Sequence, residues 1–404
     1  MVQGSGGPLA GVRVLDLTRI LSGPFASMTL GDFGADVVKV ERPVKGDDTR
    51  VWGPPFVRGE SAYFLSTNRN KRSIELDLAS DAGRAIAYRL ASRADVVVEN
   101  FRPGTAERLG LGYERLRADN PGLVYCSISG FGQTGPYRSR AGFDAVVQAM
   151  SGMMALTGEP DGVPTRPGLP VADLTAAMWA AFAIAAALFE RTRSGCGQHI
   201  DVSLLDGQVA WMTYPLAGFL ATGEEPARLG SAHATIVPYQ PFATADGHVI
   251  IAAGNDKLWQ GVCRVIGAPE LADDPRFATN PDRVRGRAVL VPILEARLRT
   301  RPTAHWLAVL EAEGVPAAPI LKVSEMAADP HLAARDMVIE MEHPRTGKVR
   351  TAGLPVRFSR TPGAVRRPPP HLGEHTDEIL AEIGWTEQEP GAPDEKPAPP
   401  PGRR

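Results

Sequence analysis

Cysteine is scarce in this chain. Cys126, Cys196 and Cys263 are the only 3 among 404 residues, far apart and odd in number. That argues against a disulfide framework and a CxxC zinc site, and it fits a reducing compartment. Net charge is lacking too: 44 Lys and Arg stand against 46 Asp and Glu, a formal −2. No global field therefore invites nucleic acid or an anionic membrane. The 8 histidines are scattered without metal-ligand spacing and HExxH is missing, so no metal centre is expected. GxSxG is absent, and the nearest approach to GxxxxGK[ST], TGKV at 346–349, has no hydroxyl after Lys348, which excludes a P-loop. The opening MVQGSGGPLAGVRVLDL lacks a basic segment followed by an apolar one. It is no secretory signal, and the chain is expected to be cytoplasmic. The longest apolar run, within 176–189, is too short to span a bilayer and reads as a core helix.

What is present suits a large globular protein. Hydrophobic residues make up 43% and charged residues 22%, ordinary values for a chain long enough to hold two domains. Val-rich runs at 12–17 (VRVLDL), 35–41 (ADVVKVE), 94–100 (ADVVVEN) and 123–129 (LVYCSIS) lie between turn residues, as buried parallel strands do. Helical stretches are expected near 24–34 and 80–92. The alternation predicts an α/β, doubly wound domain. A later strand-type run, HVIIAAG (248–254), with helices expected around 256–267 and 286–312, suggests a smaller unit. From Glu389 the Pro-rich tail EPGAPDEKPAPPPGRR is expected to be disordered. Gly130, Gly132 and Gly135 satisfy GxGxxG, but Pro136 and polar YRSR follow where a dinucleotide fold needs a helix.

One stretch carries a chemical question. GLPVADLTAAMWAAFAIAAALFERTRSG (168–195) has no formal charge from Thr175 to Phe189, and Arg191, Arg193 and Gly195 supply stop signals. Asp173 stands at its mouth. It can cap the helix, its carboxylate satisfying free first-turn N–H groups. The same groups can also hold an ionised nucleophile in a water-poor pocket, and the two roles are compatible.

LAGVRVLDLTRILSGPFASMTLGDFGADVVKVERP (9–43), NRNKRSIELDL (68–78), VVVENFRPGTAERLGLGY (96–113), GFGQTGPYRSRAGFD (130–144), PVADLTAA (170–177) and PPPHLGEHTDEIL (368–380) occur in this order. Together they resemble the class III (CaiB/BaiF) CoA-transferase family, from about residue 8 to 385. WGPPF (52–56), RAGFD, TRPGLPVADL and GSAHATIVPYQ (230–240) are most similar to its succinate–hydroxymethylglutarate (glutarate) transferases. The resemblance implies a Rossmann-like large domain plus a smaller α/β domain in an interlocked homodimer. The expected divisions are 8–220 (CoA-binding, with the catalytic Asp), 221–335 (smaller domain), 336–388 (a return to the large domain) and 389–404 (tail). It also implies CoA transfer to a dicarboxylic acid, with succinyl-CoA the expected donor, through an aspartyl anhydride and an aspartyl-CoA thioester. CoA is then a substrate, and no permanently bound cofactor is needed.

By the same resemblance Asp173 is the nucleophile. Ile20, Arg42, Asn70, Lys71, Arg72, Asn100, Phe101 and Arg108 are the expected CoA contacts, with Arg42, Lys71 and Arg72 on the phosphates. Gly23-Pro24 opens a helix suited to face the ligand, and Glu99 and Asp144 are polar groups near the site. Arg166 and His233 are candidates for the acceptor's second carboxylate. No tetraglycine run accompanies HVIIAAGNDKLW (248–259), which disfavours formyl-CoA:oxalate exchange. An α-methylacyl-CoA racemase needs a second proton carrier, and Phe143 and Asn255 occupy the corresponding positions. A non-catalytic CoA-binding protein is the remaining alternative.

Overall fold

The computed structural model describes residues 6–386, so the expected tail at 389–404 lies outside the described residues. The chain divides into two compact units. The larger comprises the residues up to Ser151, Gly168–Thr213 and those from Ala334 onward; the smaller comprises Gly152–Pro167 and Tyr214–Ala333. The expected boundary at 220 thus falls at 213, and 152–167 groups with the smaller unit.

Among the described residues the larger unit holds a six-stranded sheet. Its strands are β1 (Arg13–Asp16), β2 (Asp36–Glu41), β3 (Lys71–Glu75), β4 (Val96–Glu99), β5 (Val124–Ser129) and β6 (His199–Ser203). All neighbours pair in parallel, in the spatial order β3-β2-β1-β4-β5-β6. The register sets Val14 beside both Val37 and Val96. Side chains then alternate across the sheet. Val14, Val37, Val96, Val98, Val124 and Cys126 face one core layer. Leu15, Val38, Ile74, Val97 and Tyr125 face the other. Both faces are covered, so the strands read as near-continuous apolar runs.

The first layer is closed by α1 (Ser22–Asp32), α3 (Asp144–Met150), α4 (Val171–Ser194) and α5 (Leu204–Trp211). Ala172, Ala176, Ala177, Ala180 and Ala187 of α4 are buried; their small side chains let a long helix lie close to the sheet. Gly195, at φ 74°, ends α4 and donates its N–H to the Arg191 carbonyl (2.8 Å), the left-handed stop that glycine adopts without strain. The second layer is closed by α2 (Asp81–Ser92) and by α9 (Thr376–Ile383), the last helix described. Ser80 caps α2 by accepting from Gly83 N–H. Ile379 and Ile383 bring α9 onto this layer, and His375 N–H bonds the Ser73 carbonyl on β3 (3.0 Å).

The 24-residue α4 corrects the expectation of a helix too short for a membrane: by length and composition it is long and apolar enough to cross one. In the fold one face packs in the core, while Met178, Trp179, Phe182 and Phe189 are exposed on this chain.

In the smaller unit β7 (Tyr239–Ala243), β8 (His248–Ala252) and β9 (Ala317–Pro319) form an antiparallel sheet with β8 central. Around it pack α6 (Asp256–Val265), α7 (Arg287–Leu298) and α8 (Thr303–Ala312). The single helical stretch expected over 286–312 is two helices, because Pro302 has no N–H and cannot continue α7.

Candidate functional site

The strand order reverses between β1 and β4, whose following connections run to opposite sides of the sheet. Backbone leaving their carboxyl ends is pulled apart there, which opens a crevice in doubly wound sheets. A cleft of about 380 Å³ occupies this position. Arg19, Ile20, Leu21 and Ser22 line it after β1, and Asn100, Phe101, Arg102, Pro103 and Thr105 after β4. Ser129, Gly130, Arg138, Arg140 and Phe143 continue the wall from β5, and Asp173 closes it from α4.

The two loops at the crevice are tied together. Asn100 Oδ1 accepts from Arg19 N–H (2.9 Å) and Asn100 Nδ2 donates to the Arg19 carbonyl (2.7 Å). Ile20 is held at φ 73°, and its N–H donates to both carboxylate oxygens of Asp47 (3.2 Å each). A β-branched residue in the left-handed region costs about 1–3 kcal/mol and persists only where its surroundings impose it. Here a buried charge network imposes it: Lys39 Nζ reaches Asp47 (2.9 Å) and the Thr18 carbonyl (2.8 Å), and Arg50 clamps Glu41 (2.6 Å).

Asp173 is not the cap of α4. Pro170 holds that position, and Asp173 is the third helical residue. Asp144, at the start of α3, takes over the capping: its Oδ1 accepts from Ala172 N–H (3.0 Å), and Gln148 Nε2 donates to its Oδ2 (2.7 Å). Asp173 is thereby left half-buried and facing the cleft. Burial, then the charge of Asp144, pushes its carboxyl up to about 7, while a hydrogen bond from Ser22 opposes the rise. Ionised, it is a desolvated carboxylate at a helix N-terminus, poised as a nucleophile. Tyr63, which sequence reasoning missed, senses the same charges: burial, then Asp173 and Asp144, pushes its phenol up to about 12.

The expected contacts separate into those the cleft collects and those it does not. Ile20, Asn100 and Phe101 line it together with Asp173. Arg108 lies one turn beyond the lining residue Thr105 and donates to its Oγ1 (2.8 Å). Arg42 lines an adjoining cleft of about 280 Å³ with Leu76, Leu78 and Phe101. It is half-exposed and shares Asp48 with Arg19.

Three expected phosphate or CoA contacts are corrected. Lys71 is fully buried and spends its three donors on Asp16 Oδ2 (3.0 Å), the Pro24 carbonyl (2.8 Å) and Asn68 Oδ1 (2.8 Å). Arg72 is gripped by Asp36, Glu378 and Glu382, and its side chain is 6% exposed. Asn70 joins Asp32 to the 364–367 segment, donating to Asp32 Oδ1 (2.7 Å) and the Ala364 carbonyl (2.9 Å) and accepting from Arg366 and Arg367 N–H. All three are engaged in holding the fold, and Lys71 has no donor left for a ligand. Arg166 and His233 belong to the smaller unit. His233 Nδ1 accepts from Thr235 N–H (3.2 Å), and its ring stacks on Tyr214 at 5.4 Å. Asn255 caps α6 through Leu258 N–H (2.9 Å).

Sequence reasoning overlooked Arg19, Arg102, Arg138 and Arg140. Their signal was positional: Arg19 and Arg102 follow the two strands that border the switch point, and Arg138 and Arg140 follow β5, the next strand along. Only the strand order, invisible in the sequence, singles them out.

A parallel sheet wound on both faces, with an arginine-rich cleft and a carboxyl group at its switch point, defines a doubly wound α/β protein built to receive an anionic ligand. More narrowly, the chain belongs to CoA-transferase family III, whose model matches residues 9–376. It is 48% identical over 376 residues to the succinyl-CoA:glutarate CoA-transferase of Mus musculus, covering 93% of this chain and 86% of that protein. To the acetyl-CoA:oxalate CoA-transferase of Acetobacter aceti it is 46% identical, covering 94% and 97%. A solved CaiB/BaiF family protein from Brucella suis superposes with a TM-score of 0.84 at 46% identity, covering 94% of this chain and 100% of that one.

Proposed function

We propose that this protein transfers CoA from succinyl-CoA to glutarate or a related dicarboxylic acid, with Asp173 as the covalent nucleophile. The observation that carries the reading is the raised, uncapping carboxyl of Asp173 in the arginine-lined cleft. The high identity to the glutarate enzyme supports the substrates.

The carboxylate of Asp173 attacks the succinyl carbonyl, the C–S bond breaks, and CoA leaves as thiolate from a mixed anhydride. The thiolate then attacks Cγ of Asp173, releasing succinate and leaving an aspartyl-CoA thioester. The acceptor carboxylate attacks the same carbon and expels the thiolate, which cleaves the new anhydride at the acceptor's carbonyl. Acyl-CoA leaves and Asp173 is restored as a carboxylate. One thioester replaces another, so the cycle is close to thermoneutral. Arg42 is the favoured phosphate contact, since charge-assisted pairing suits a half-exposed guanidinium beside an apolar cleft wide enough for a base.

A racemase would need a second proton carrier in the cleft; Phe143 lines it and has no titratable group. We further propose a homodimer, since Met178, Trp179, Phe182 and Phe189 expose an apolar face on α4. The three free cysteines accord with a cytoplasmic setting.

Incubation with succinyl-CoA and glutarate is expected to yield glutaryl-CoA and free succinate one for one, read by mass spectrometry. Hydroxylamine added during turnover should leave a hydroxamate on Asp173; label on another residue contradicts the assigned nucleophile. A second expectation concerns Asp144→Asn. The amide keeps an oxygen for Ala172 N–H but loses the charge that helps raise Asp173. The acid limb of kcat/KM, near pH 7 in the parent, should therefore move to lower pH. An unmoved limb would assign that ionisation elsewhere.

A further inference from the structure

CoA exchange between dicarboxylic acids makes a demand that Asp173 does not meet. One carboxylate reacts; the other must also leave water, and an unpaired charge in a cleft is strongly disfavoured. The cleft therefore has to offer it a cation. Among its lining arginines, Arg19 is already paired with Asp48 (3.0 Å). Arg140 forms no ion pair among the described residues. Its guanidinium stacks 3.9 Å above the Tyr137 ring, and its N–H closes a turn on the Tyr137 carbonyl (2.9 Å). Stacking fixes the plane of the guanidinium fork while leaving its edge free to take a carboxylate through two N–H groups.

The loop that carries Arg140 is pinned at its base. Gly130 and Gly142 touch backbone to backbone, so a Cβ built on either would lie 2.8 Å from the other's Cα. Leu205 N–H holds the Gly130 carbonyl (3.2 Å). Just beyond Gly142 comes Asp144, whose carboxylate caps the helix bearing Asp173. Arg140 and Asp173 are thus connected by a short, hydrogen-bonded path with little freedom. CoA's phosphates lie a whole pantetheine arm from its sulfur. A cation in the nucleophile's own cleft therefore suits the acid portion of the substrate, and Arg42 in the adjoining cleft suits the phosphates.

We infer that Arg140 receives the distal carboxylate of the exchanged acids and so selects dicarboxylates over monocarboxylates. This rests on the CoA-transfer reading above, and wild-type turnover of succinyl-CoA with glutarate tests that reading by itself. Arg140→Gln and Arg138→Gln are then compared with the parent, using glutarate and pentanoate as acceptors and succinyl-CoA and butyryl-CoA as donors. Free CoA binding is measured by calorimetry, and folding by thermal melts. Arg140→Gln should raise KM for glutarate and succinyl-CoA about 10- to 100-fold, the worth of one charge-assisted pair. Turnover of butyryl-CoA with pentanoate, CoA affinity and melting temperature should stay at parental values. Equal losses on monocarboxylates, weakened CoA binding, or a selective dicarboxylate defect in Arg138→Gln alone would each overturn the assignment.

Discussion

Asp173→Asn should abolish transfer and still make the protein more stable at pH 8. The amide has almost no nucleophilicity toward a thioester and cannot pass through an anhydride, so a loss of about four orders of magnitude in kcat is expected. The stability gain follows from the raised carboxyl. In the unfolded chain this group titrates near 3.8, in the fold at about 7. Between those values the folded state binds a proton that the unfolded state has released, so stability contributed by this group falls as pH rises through that window. Above pH 7 the full penalty of a buried charge is present, and Asn removes it. The melting temperature of Asp173→Asn should exceed the parent's at pH 8 and converge with it near pH 4. A difference independent of pH would show that Asp173 is not held up by burial, and residual transfer near the parental rate would end the covalent mechanism. The kinetic face of the same titration is an acid limb in kcat/KM near pH 7, because only the ionised carboxylate attacks.

The Val-rich runs at 12–17, 35–41, 94–100 and 123–129 became β1, β2, β4 and β5 because strands buried on both faces must be apolar along their whole length. β3 escaped notice because its sequence, KRSIE, carries two basic residues; buried carboxylates neutralise Lys71 inside, and three acids grip Arg72 at the sheet edge. Which strands lie side by side is set by pairing across the sheet and not by the local sequence, so the arginines at the switch point could not be singled out. Asp173 was legible as a carboxylate at the head of an apolar helix. Its escape from capping duty was not, since that depends on Asp144 arriving from another helix, 28 residues from the Ala172 N–H that it caps. Exposed aromatics on α4 were hidden for a related reason: composition reports how apolar a helix is and says nothing of which face finds a neighbour.

Lys71 separates the two ways of reading a basic residue in a ligand-like motif. If its ammonium met a phosphate, Lys71→Met would leave the fold unchanged and raise KM for acyl-CoA. The structure points to the opposite outcome. Lys71 Nζ holds together three acceptors from different segments: Asp16 at the end of β1, the Pro24 carbonyl in α1 and the Asn68 side chain. Burial alone would push the Asp16 carboxyl upward; Lys71 and Lys39, with hydroxyls from Ser27 and Thr18, hold it well below the usual carboxylate range. Remove Lys71 and a buried carboxylate loses its nearest counter-charge. Breaking a buried pair from one side costs about 3–5 kcal/mol, a large share of the stability of an ordinary domain. Urea unfolding at pH 7 should show that loss in Lys71→Met as a lower midpoint with the slope retained. Asp16→Asn added to Lys71→Met should recover part of it. The second change removes the stranded charge, and Lys39 still has Asp47 at 2.9 Å. If the double variant is less stable than Lys71→Met alone, the pair is not the source of the effect. If Lys71→Met unfolds at the parental midpoint but binds acyl-CoA poorly, Lys71 reaches the ligand after all.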